Sequence, residues 1–196
     1  MTNSEPVKLK WEGPIGIGNL PTDKKTLEGM QKPGIYIFTQ EYPGKLVAYA
    51  GNSKNILSRI QQHYGGYLGF TYWLRNGKGK REIGPDKGFE SLNQINKKYR
   101  LAMDEAKRLR FYYAILESQE GRLVKPAESL IIRVLKDKHE AETIIEGKKF
   151  ECDNARREGY RKNYPKVTFR NVFSKKQSIL KSLFGKSALT GCPISD

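Results

Sequence analysis

Two tyrosines, an arginine, a histidine and a glutamate have the types and spacing best suited to chemistry: Tyr36, Tyr49, Arg59, His63 and Glu128. Arg59 and His63 are four residues apart, so on a helix they project from one face. Phosphodiester hydrolysis has a use for every member of this set. Arginine presents a planar fork to phosphate oxygens, while a phenol or imidazole takes a proton from the attacking water or orients it. A single carboxylate can hold one Mg²⁺ that keeps several waters.

The two tyrosines lie on segments that read as the strands of a hairpin. Residues 35–38 and 46–50 are rich in β-forming residues, and a Pro-Gly turn signal separates them. A helix is predicted directly after the second strand, capped by Asn52 or Ser53 and ending near Gly65-Gly66. Arg59 and His63 therefore belong to this helix, which follows the hairpin that carries the tyrosines.

The remaining elements are a helix over 90–110, a strand over 111–117 and a helix that has Pro126 in its first turn. Glu128 is placed in the first turn of that third helix. A capping-box pattern from Ser174 predicts a last helix near the C-terminus. This order predicts an α+β fold with a small three-stranded, mostly antiparallel sheet flanked by helices.

The sequence divides into three parts on the same pattern. Residues 1–32 are rich in glycine, proline and charge, which indicates an N-terminal arm. Residues 33–137 contain the periodic segments and form the predicted catalytic core. Residues 138–196 read as a basic C-terminal extension with the terminal helix.

The charge balance indicates a polyanionic partner. The chain has 196 residues, with 36 Lys and Arg against 21 Asp and Glu, which gives a formal net charge of +15. Such a field favours DNA, RNA or an anionic membrane surface. No apolar run approaches the roughly 18 residues of a spanning helix, and the N-terminus lacks the apolar stretch of a secretory signal. We therefore expect a cytoplasmic protein that does not engage a membrane.

The metal-ligand inventory points to oxygen donors. Two cysteines without a CxxC pair and two histidines are too few for a thiolate or histidine-rich site. Any metal would be held mainly by oxygen, which suggests Mg²⁺ or Mn²⁺.

Two basic clusters, over 75–81 and 156–162, interleave basic residues with glycine and tyrosine. This composition fits phosphate contacts, and it fits a charged surface loop equally well. The predicted DNA-binding residues are Lys54, Arg75, Lys78, Lys80, Arg81, Arg156, Arg157, Arg161 and Lys162.

The stretch PGIYIFTQEYPGKLVAYAGNSKNILSRIQQH resembles the signature of the GIY-YIG nuclease family. Residues 34–36 match GIY, and residues 49–51 stand where YIG would be, with alanine replacing isoleucine. The helix over 55–63 and a glutamate on a helix after the third strand also match. The joint match is far more specific than any one motif, and it covers about residues 33–137.

The resemblance implies a role for each member of the set. Tyr36 would be the general base or would position the attacking water, and Tyr49 would hold that water or a phosphate oxygen. Arg59 would bind the scissile phosphate, and His63 would assist as a base or orient a neighbour. Glu128 would be the only protein ligand to the metal.

Two further positions of the family are open in this sequence. The asparagine that follows the glutamate helix could be Asn154, Asn163 or Asn171, of which Asn171 is preferred because it precedes the capped last helix. The lysine that some members place near the second tyrosine is replaced by Asn52, so it is missing or its work falls to Lys45 or Lys54.

The resemblance implies a metal-dependent endonuclease acting on double-stranded DNA. The length favours a stand-alone restriction or phage/mobile-element nuclease over a structure-selective DNA repair nuclease. A non-catalytic DNA-binding module and an RNA-directed protein are the competing classes. The oligomeric state is open, and a homodimer is compatible with the sequence.

Overall fold

The computed structural model describes residues 6–85, 91–116, 123–154 and 168–185, with the backbone of 189–190. The helices within these ranges are α1 (Lys24–Met30), α2 (Ile56–Leu68), α3 (Leu92–Arg108), α4 (Val124–Glu140) and α5 (Ser178–Phe184). The strands are β1 (Val7–Lys10), β2 (Glu12–Ile15), β3 (Gly34–Tyr42), β4 (Lys45–Ser53), β5 (Leu74–Arg75), β6 (Arg81–Ile83), β7 (Arg110–Ile115), β8 (Ile144–Ile145), β9 (Lys148–Cys152), β10 (Thr168–Val172) and β11 (Leu189–Thr190). None of the helices in these ranges is long and apolar enough to cross a membrane.

The main sheet is larger than predicted. Its six strands lie in the order β2-β7-β3-β4-β9-β8, and β4 and β9 are parallel while the other neighbours are antiparallel. The prediction of a small three-stranded, mostly antiparallel sheet is therefore wrong. The three strands that the sequence indicated, β3, β4 and β7, form the centre of this mixed sheet.

The additional strands come from segments with weak hydrophobic patterns. In β9 only Phe150 is buried, and it pairs with Leu46 of β4. β2 lies in the segment 1–32 that the sequence predicts to be an arm, and it pairs with β7 at the edge of the sheet. It contains Pro14, and its register with β7 is irregular. A strand with one buried apolar residue shows no period-two alternation in its sequence. Its position depends instead on hydrogen-bonded pairing with the neighbouring strand.

Helices cover both faces of the six-stranded sheet. Ile35 and Ile37 of β3 pack with α4 and α5 in one apolar cluster. Tyr36 and Phe38 point to the other face, where they pack with α2 and α3. The nearly continuous burial along β3 follows from this arrangement, because neither face of the strand meets solvent.

Two smaller sheets complete the described part of the chain. β1 runs parallel to β10, which pairs in turn with β11. β5 and β6 form a hairpin beside α3, which we call the β5–β6 hairpin.

Helix α2 continues through Gly65-Gly66 to Leu68, so its predicted end is two residues early. A β-carbon on Gly66 would come within 2.5 Å of the Tyr72 ring. The glycine therefore serves close packing inside the helix rather than its termination, and it lets Tyr72 lie against α2.

Tyr36 and Gly51 are paired across β3 and β4 and pack closely together. A β-carbon on Gly51 would lie 2.3 Å from the Tyr36 hydroxyl oxygen. Only a residue without a side chain leaves room for the phenol to lie across β4.

Substitution of this glycine should therefore be costly. We expect Gly51→Ala to lower the free energy of unfolding by about 1–3 kcal/mol, because the buried phenol must move. Gly65→Ala is the matched control, since Gly65 lies in α2 and a β-carbon added there would meet nothing within 4 Å. It should raise the free energy of unfolding by up to about 1 kcal/mol through helix propensity. Urea denaturation measures both, and equal effects would show that close packing does not require a glycine at 51.

Candidate active site

Tyr36 is the centre of the hydrogen-bonded part of the site. Its side chain is 1% exposed, and its hydroxyl oxygen accepts a hydrogen bond from Arg59 Nε at 3.1 Å. His63 Nε2 lies 2.9 Å from the same oxygen. The structure thus brings Tyr36, Arg59 and His63 into direct contact.

The position of α2 accounts for this contact. Asn55 caps the helix, and its side chain accepts from the backbone N–H of Ser58 at 2.9 Å. Ile56 and Ile60 are buried against the sheet. Because this apolar face of α2 packs on the sheet, Arg59 and His63 lie within hydrogen-bond distance of the Tyr36 hydroxyl group.

Burial sets the protonation state of the cluster. It lowers the pKa of His63 to about 3, and the positive charge of Arg59 acts in the same direction. Burial raises the pKa of the Tyr36 phenol, and nearby Tyr49 adds to the effect. At neutral pH the imidazole is neutral and the phenol keeps its proton. The buried Nδ1 of His63 has no hydrogen-bond partner among the described residues.

Tyr49 forms the boundary between this cluster and solvent. Its ring stacks on Phe38, with the ring centres 5.0 Å apart, and lies 5.8 Å from the His63 ring in an edge arrangement. Tyr49, Arg59 and His63 all line a cavity of about 310 Å³. Tyr36 does not line this cavity and sits behind the other three.

Glu128 approaches the same end of β4 from the opposite face of the sheet. It is the fifth residue of α4, so the predicted first-turn position is slightly early. Its carboxylate is half-buried and accepts a hydrogen bond from the amide of Asn52. Asn52 directly follows Gly51, the residue over which the Tyr36 phenol lies. The Glu128 carboxylate is thus bound to the residue that directly follows the one packed against the Tyr36 phenol.

Position 52 holds an asparagine instead of a lysine, and its side-chain amide donates to the Glu128 carboxylate. Lys45 cannot take over a role at this end of β4. Lys45 is the first residue of β4, so its backbone lies about 23 Å from that of Asn52 at a rise of about 3.3 Å per residue. Its side chain forms an ion pair with Glu151. Lys54 is exposed immediately after β4.

Two side-chain oxygen donors, from Glu128 and Asn52, lie together at this end of β4. Among the described residues no group of three or more histidine, cysteine, aspartate or glutamate side chains could hold a metal. The Glu128 carboxylate and the side-chain carbonyl of Asn52 are oxygen donors of the kind that Mg²⁺ accepts. An ion with so few protein ligands keeps most of its coordination sphere for water and phosphate oxygens.

The three candidate asparagines have different places. Asn171 lies on β10, and its side-chain oxygen accepts from Trp11 Nε1 at 2.9 Å. Trp11 belongs to the cluster on the face of the sheet opposite Tyr36, so Asn171 is corrected to a partner of this tryptophan. Asn154 instead bonds both backbone groups of Ala50, at 3.0 Å and 2.7 Å, which fixes the segment between Tyr49 and Gly51. Asn163 lies outside the described residues.

The predicted DNA-binding residues divide into three groups. Arg75 is 3% exposed, and its guanidinium donates to Gly79, Glu151 and Asp153, each at 2.8 Å. The prediction that Arg75 contacts DNA is therefore corrected, because its buried guanidinium is engaged by these three partners and anchors the β5–β6 hairpin. The exposed basic residues are Lys54, Lys78, Lys80 and Arg81. The others, Arg156, Arg157, Arg161 and Lys162, lie outside the described residues.

Sequence reasoning missed two parts of the site. It identifies Asn52 as a candidate helix cap and as the replacement of a lysine, but not as the partner of Glu128, and the helix is capped by Asn55 instead. Tyr72 and Trp73 also line the cavity beside Tyr49 and Arg59. The adjacent aromatic pair in a glycine-rich loop was the available signal for them.

Comparison with known proteins gives no counterpart for this arrangement. No protein-family description, curated protein or solved structure matches the chain.

Burial of neutral His63 predicts a specific pH dependence of stability. The unfolded histidine takes up a proton near pH 6.5, but the folded one does so only near pH 3. Protonation therefore favours the unfolded chain, and stability falls as the pH falls below 6.5. We compare the free energy of unfolding of wild type with that of His63→Gln. The difference should shift against wild type by up to about 1.4 kcal/mol for each pH unit below 6.5. Denaturation series at pH 7 and pH 5 measure the difference, and parallel profiles would contradict it.

Proposed function

We propose that the chain is a divalent-metal-dependent endonuclease that hydrolyses phosphodiester bonds of double-stranded DNA. The observation that carries the proposal is the hydrogen-bonding of Arg59 and His63 to one buried phenol, beside a carboxylate held at the same strand end. The net charge of +15 supports a nucleic acid as partner. The order and spacing of these residues support a nuclease similar to the GIY-YIG family.

Arg59 is the proposed phosphate-binding group. Tyr36 fixes its Nε, and Gln62 accepts from its Nη1 at 2.9 Å. Its Nη2 makes no hydrogen bond within the described ranges, and the guanidinium lines the cavity. An oriented guanidinium offers a fixed donor to a phosphate oxygen, and it stabilises charge that develops there.

The two tyrosines have different proposed roles. Tyr36 is fully buried with a raised pKa, so it keeps its proton and orients Arg59 and His63. This geometry favours a positioning role over that of a general base. Tyr49 faces the cavity and is placed to hold the attacking water or a phosphate oxygen. Neutral His63 shares a hydrogen bond with the Tyr36 hydroxyl group and thereby helps to hold the Tyr36 oxygen toward Arg59.

Glu128 is the proposed metal ligand, and Asn52 orients its carboxylate. A bound Mg²⁺ or Mn²⁺ would supply neutralisation of negative charge on the phosphoryl group. The chain's own contribution is a single carboxylate that the Asn52 amide holds near the end of β4.

A stand-alone restriction or phage/mobile-element nuclease is the proposed biological setting. The β5–β6 hairpin supports DNA binding, because Lys78, Lys80 and Arg81 are exposed on it and Arg81 also lines the cavity. Exposed basic side chains of this kind are suited to contacts with the DNA backbone.

Cleavage of supercoiled plasmid tests the proposal. Wild type should cut or nick the plasmid with Mg²⁺ and not with EDTA. Glu128→Ala should lower the rate at least about 100-fold, because it removes the metal ligand, while DNA binding persists. Glu140→Ala is the matched control, since Glu140 is an exposed carboxylate at the end of the same helix.

Two results would overturn the assignment. Cleavage that is unaffected by Glu128→Ala would remove the carboxylate from the site. Mg²⁺-dependent binding to many plasmids without any cleavage would identify a DNA-binding module that lacks catalysis.

A further inference from the structure

The cavity beside Tyr49 and Arg59 has aromatic walls that phosphate binding alone does not require. Its five aromatic lining residues are Phe38, Tyr49, Tyr67, Tyr72 and Trp73. Its volume of about 310 Å³ is at the small end of the range for ligand pockets. A duplex is far too wide to enter a space of this size, whereas a single flat ring system fits it.

Trp73 is the accessible member of this wall. Its side chain is 47% exposed, although it is the largest aromatic at the cavity. The β5–β6 hairpin region holds it in place, because the Arg81 guanidinium lies over its ring at 5.9 Å from the centroid. A β-carbon on Gly84 would come within 3.0 Å of the indole, so this glycine packs closely against the ring. The indole is therefore held at the cavity and remains partly exposed.

The loop that carries Trp73 is also fixed from the other side. Tyr72 lies against Gly66 of α2, and its ring is 5.2 Å from that of Tyr67 in a perpendicular arrangement. Arg81 is tied in turn to Asp153 at 2.5 Å. The aromatic wall is thus built into the fold between α2 and β9, and it exists before any ligand binds.

The chemistry of the cavity defines its occupant. Aromatic faces stack on nucleobases of any sequence, and guanidinium groups at the rim favour the phosphates attached to them. Arg59 lines the same cavity and is the proposed phosphate-binding group. A base entering here would belong to a nucleotide at or next to the phosphate that Arg59 binds.

We propose that this cavity receives one unstacked nucleobase of the DNA strand that is cut, with Trp73 as its stacking surface. The inference rests on the proposed nuclease function and specifies its substrate. A paired base must first leave the duplex stack, which costs free energy, while an unpaired base does not. The preferred substrate is therefore DNA with an unpaired nucleotide beside the cleaved phosphate.

Equilibrium binding in EDTA tests this without cleavage. Two duplexes carry 2-aminopurine, one in a paired position and one as a single-nucleotide bulge. Wild type should bind the bulged duplex on the order of 5- to 100-fold more tightly, the range expected for one stacked base. Trp73→Ala should lose this preference and keep the affinity for the paired duplex. Tyr99→Ala is the control, because Tyr99 is 56% exposed and does not line the cavity.

Fluorescence identifies the stacking partner. The bulged 2-aminopurine should be quenched on binding wild type and less quenched on binding Trp73→Ala. Trp73→Phe keeps an aromatic face and should restore most of the preference, which separates lost stacking from lost folding. An unchanged preference in Trp73→Ala would overturn the inference, as would equal affinity of wild type for both duplexes. Competition by micromolar deoxynucleoside monophosphate would also overturn it, because the ligand would then be a free nucleotide.

The two proposals fail in different ways. If wild type cleaves paired plasmid through Glu128 but Trp73→Ala changes no affinity, only the base-binding cavity is refuted. If no DNA is cleaved while the bulge preference depends on Trp73, the nuclease is refuted and the cavity stands as a base-binding site.

Discussion

The phenol of Tyr36 lies across Gly51 of the neighbouring strand, and its hydroxyl group meets Arg59 and His63 there. Each part of this contact requires the others. Gly51 must lack a side chain for the phenol to reach the helix. A buried hydroxyl, guanidinium nitrogen and imidazole nitrogen would each be costly without a partner. The contact thereby fixes the register of β3 on β4 and the rotation of α2 about its axis.

The alternation of side chains along β4 divides the site between the two faces of the sheet. Gly51 belongs to the face covered by α2, and Asn52 to the face covered by α4, because consecutive residues of a strand point in opposite directions. The proposed phosphate-binding arginine and the proposed metal-binding carboxylate consequently lie on different helices, α2 and α4, which cover opposite faces of the sheet near the end of this strand.

The hairpin and α2 could be anticipated from strong local patterns, and the spacing of four residues put Arg59 and His63 on one helix face. Their hydrogen bonds to Tyr36 were not specified by that spacing, because they depend on how α2 docks on the sheet. The width of the sheet could not. β9 is held by pairing with β4 and one buried phenylalanine, so its sequence gives almost no signal of its own. Arg75 shows a related limit, since a basic loop residue looks the same whether its charge meets DNA or the carboxylates of Glu151 and Asp153. Asn154 and Asn171 could not be distinguished from the sequence for the same reason. Asn154 bonds the Ala50 backbone and Asn171 bonds Trp11, and both contacts join residues that are far apart in the chain.

The proposed nuclease depends above all on Glu128 holding a metal ion beside the phosphate bound by Arg59. A crystal of the protein with cleavage-resistant DNA, soaked in Mn²⁺ and measured for anomalous scattering, tests this most directly. We expect one Mn²⁺ peak roughly 2.1 Å from a Glu128 carboxylate oxygen, with a DNA phosphate oxygen completing its coordination. Mn²⁺ bound elsewhere, or DNA bound with no Mn²⁺ at Glu128, would contradict it.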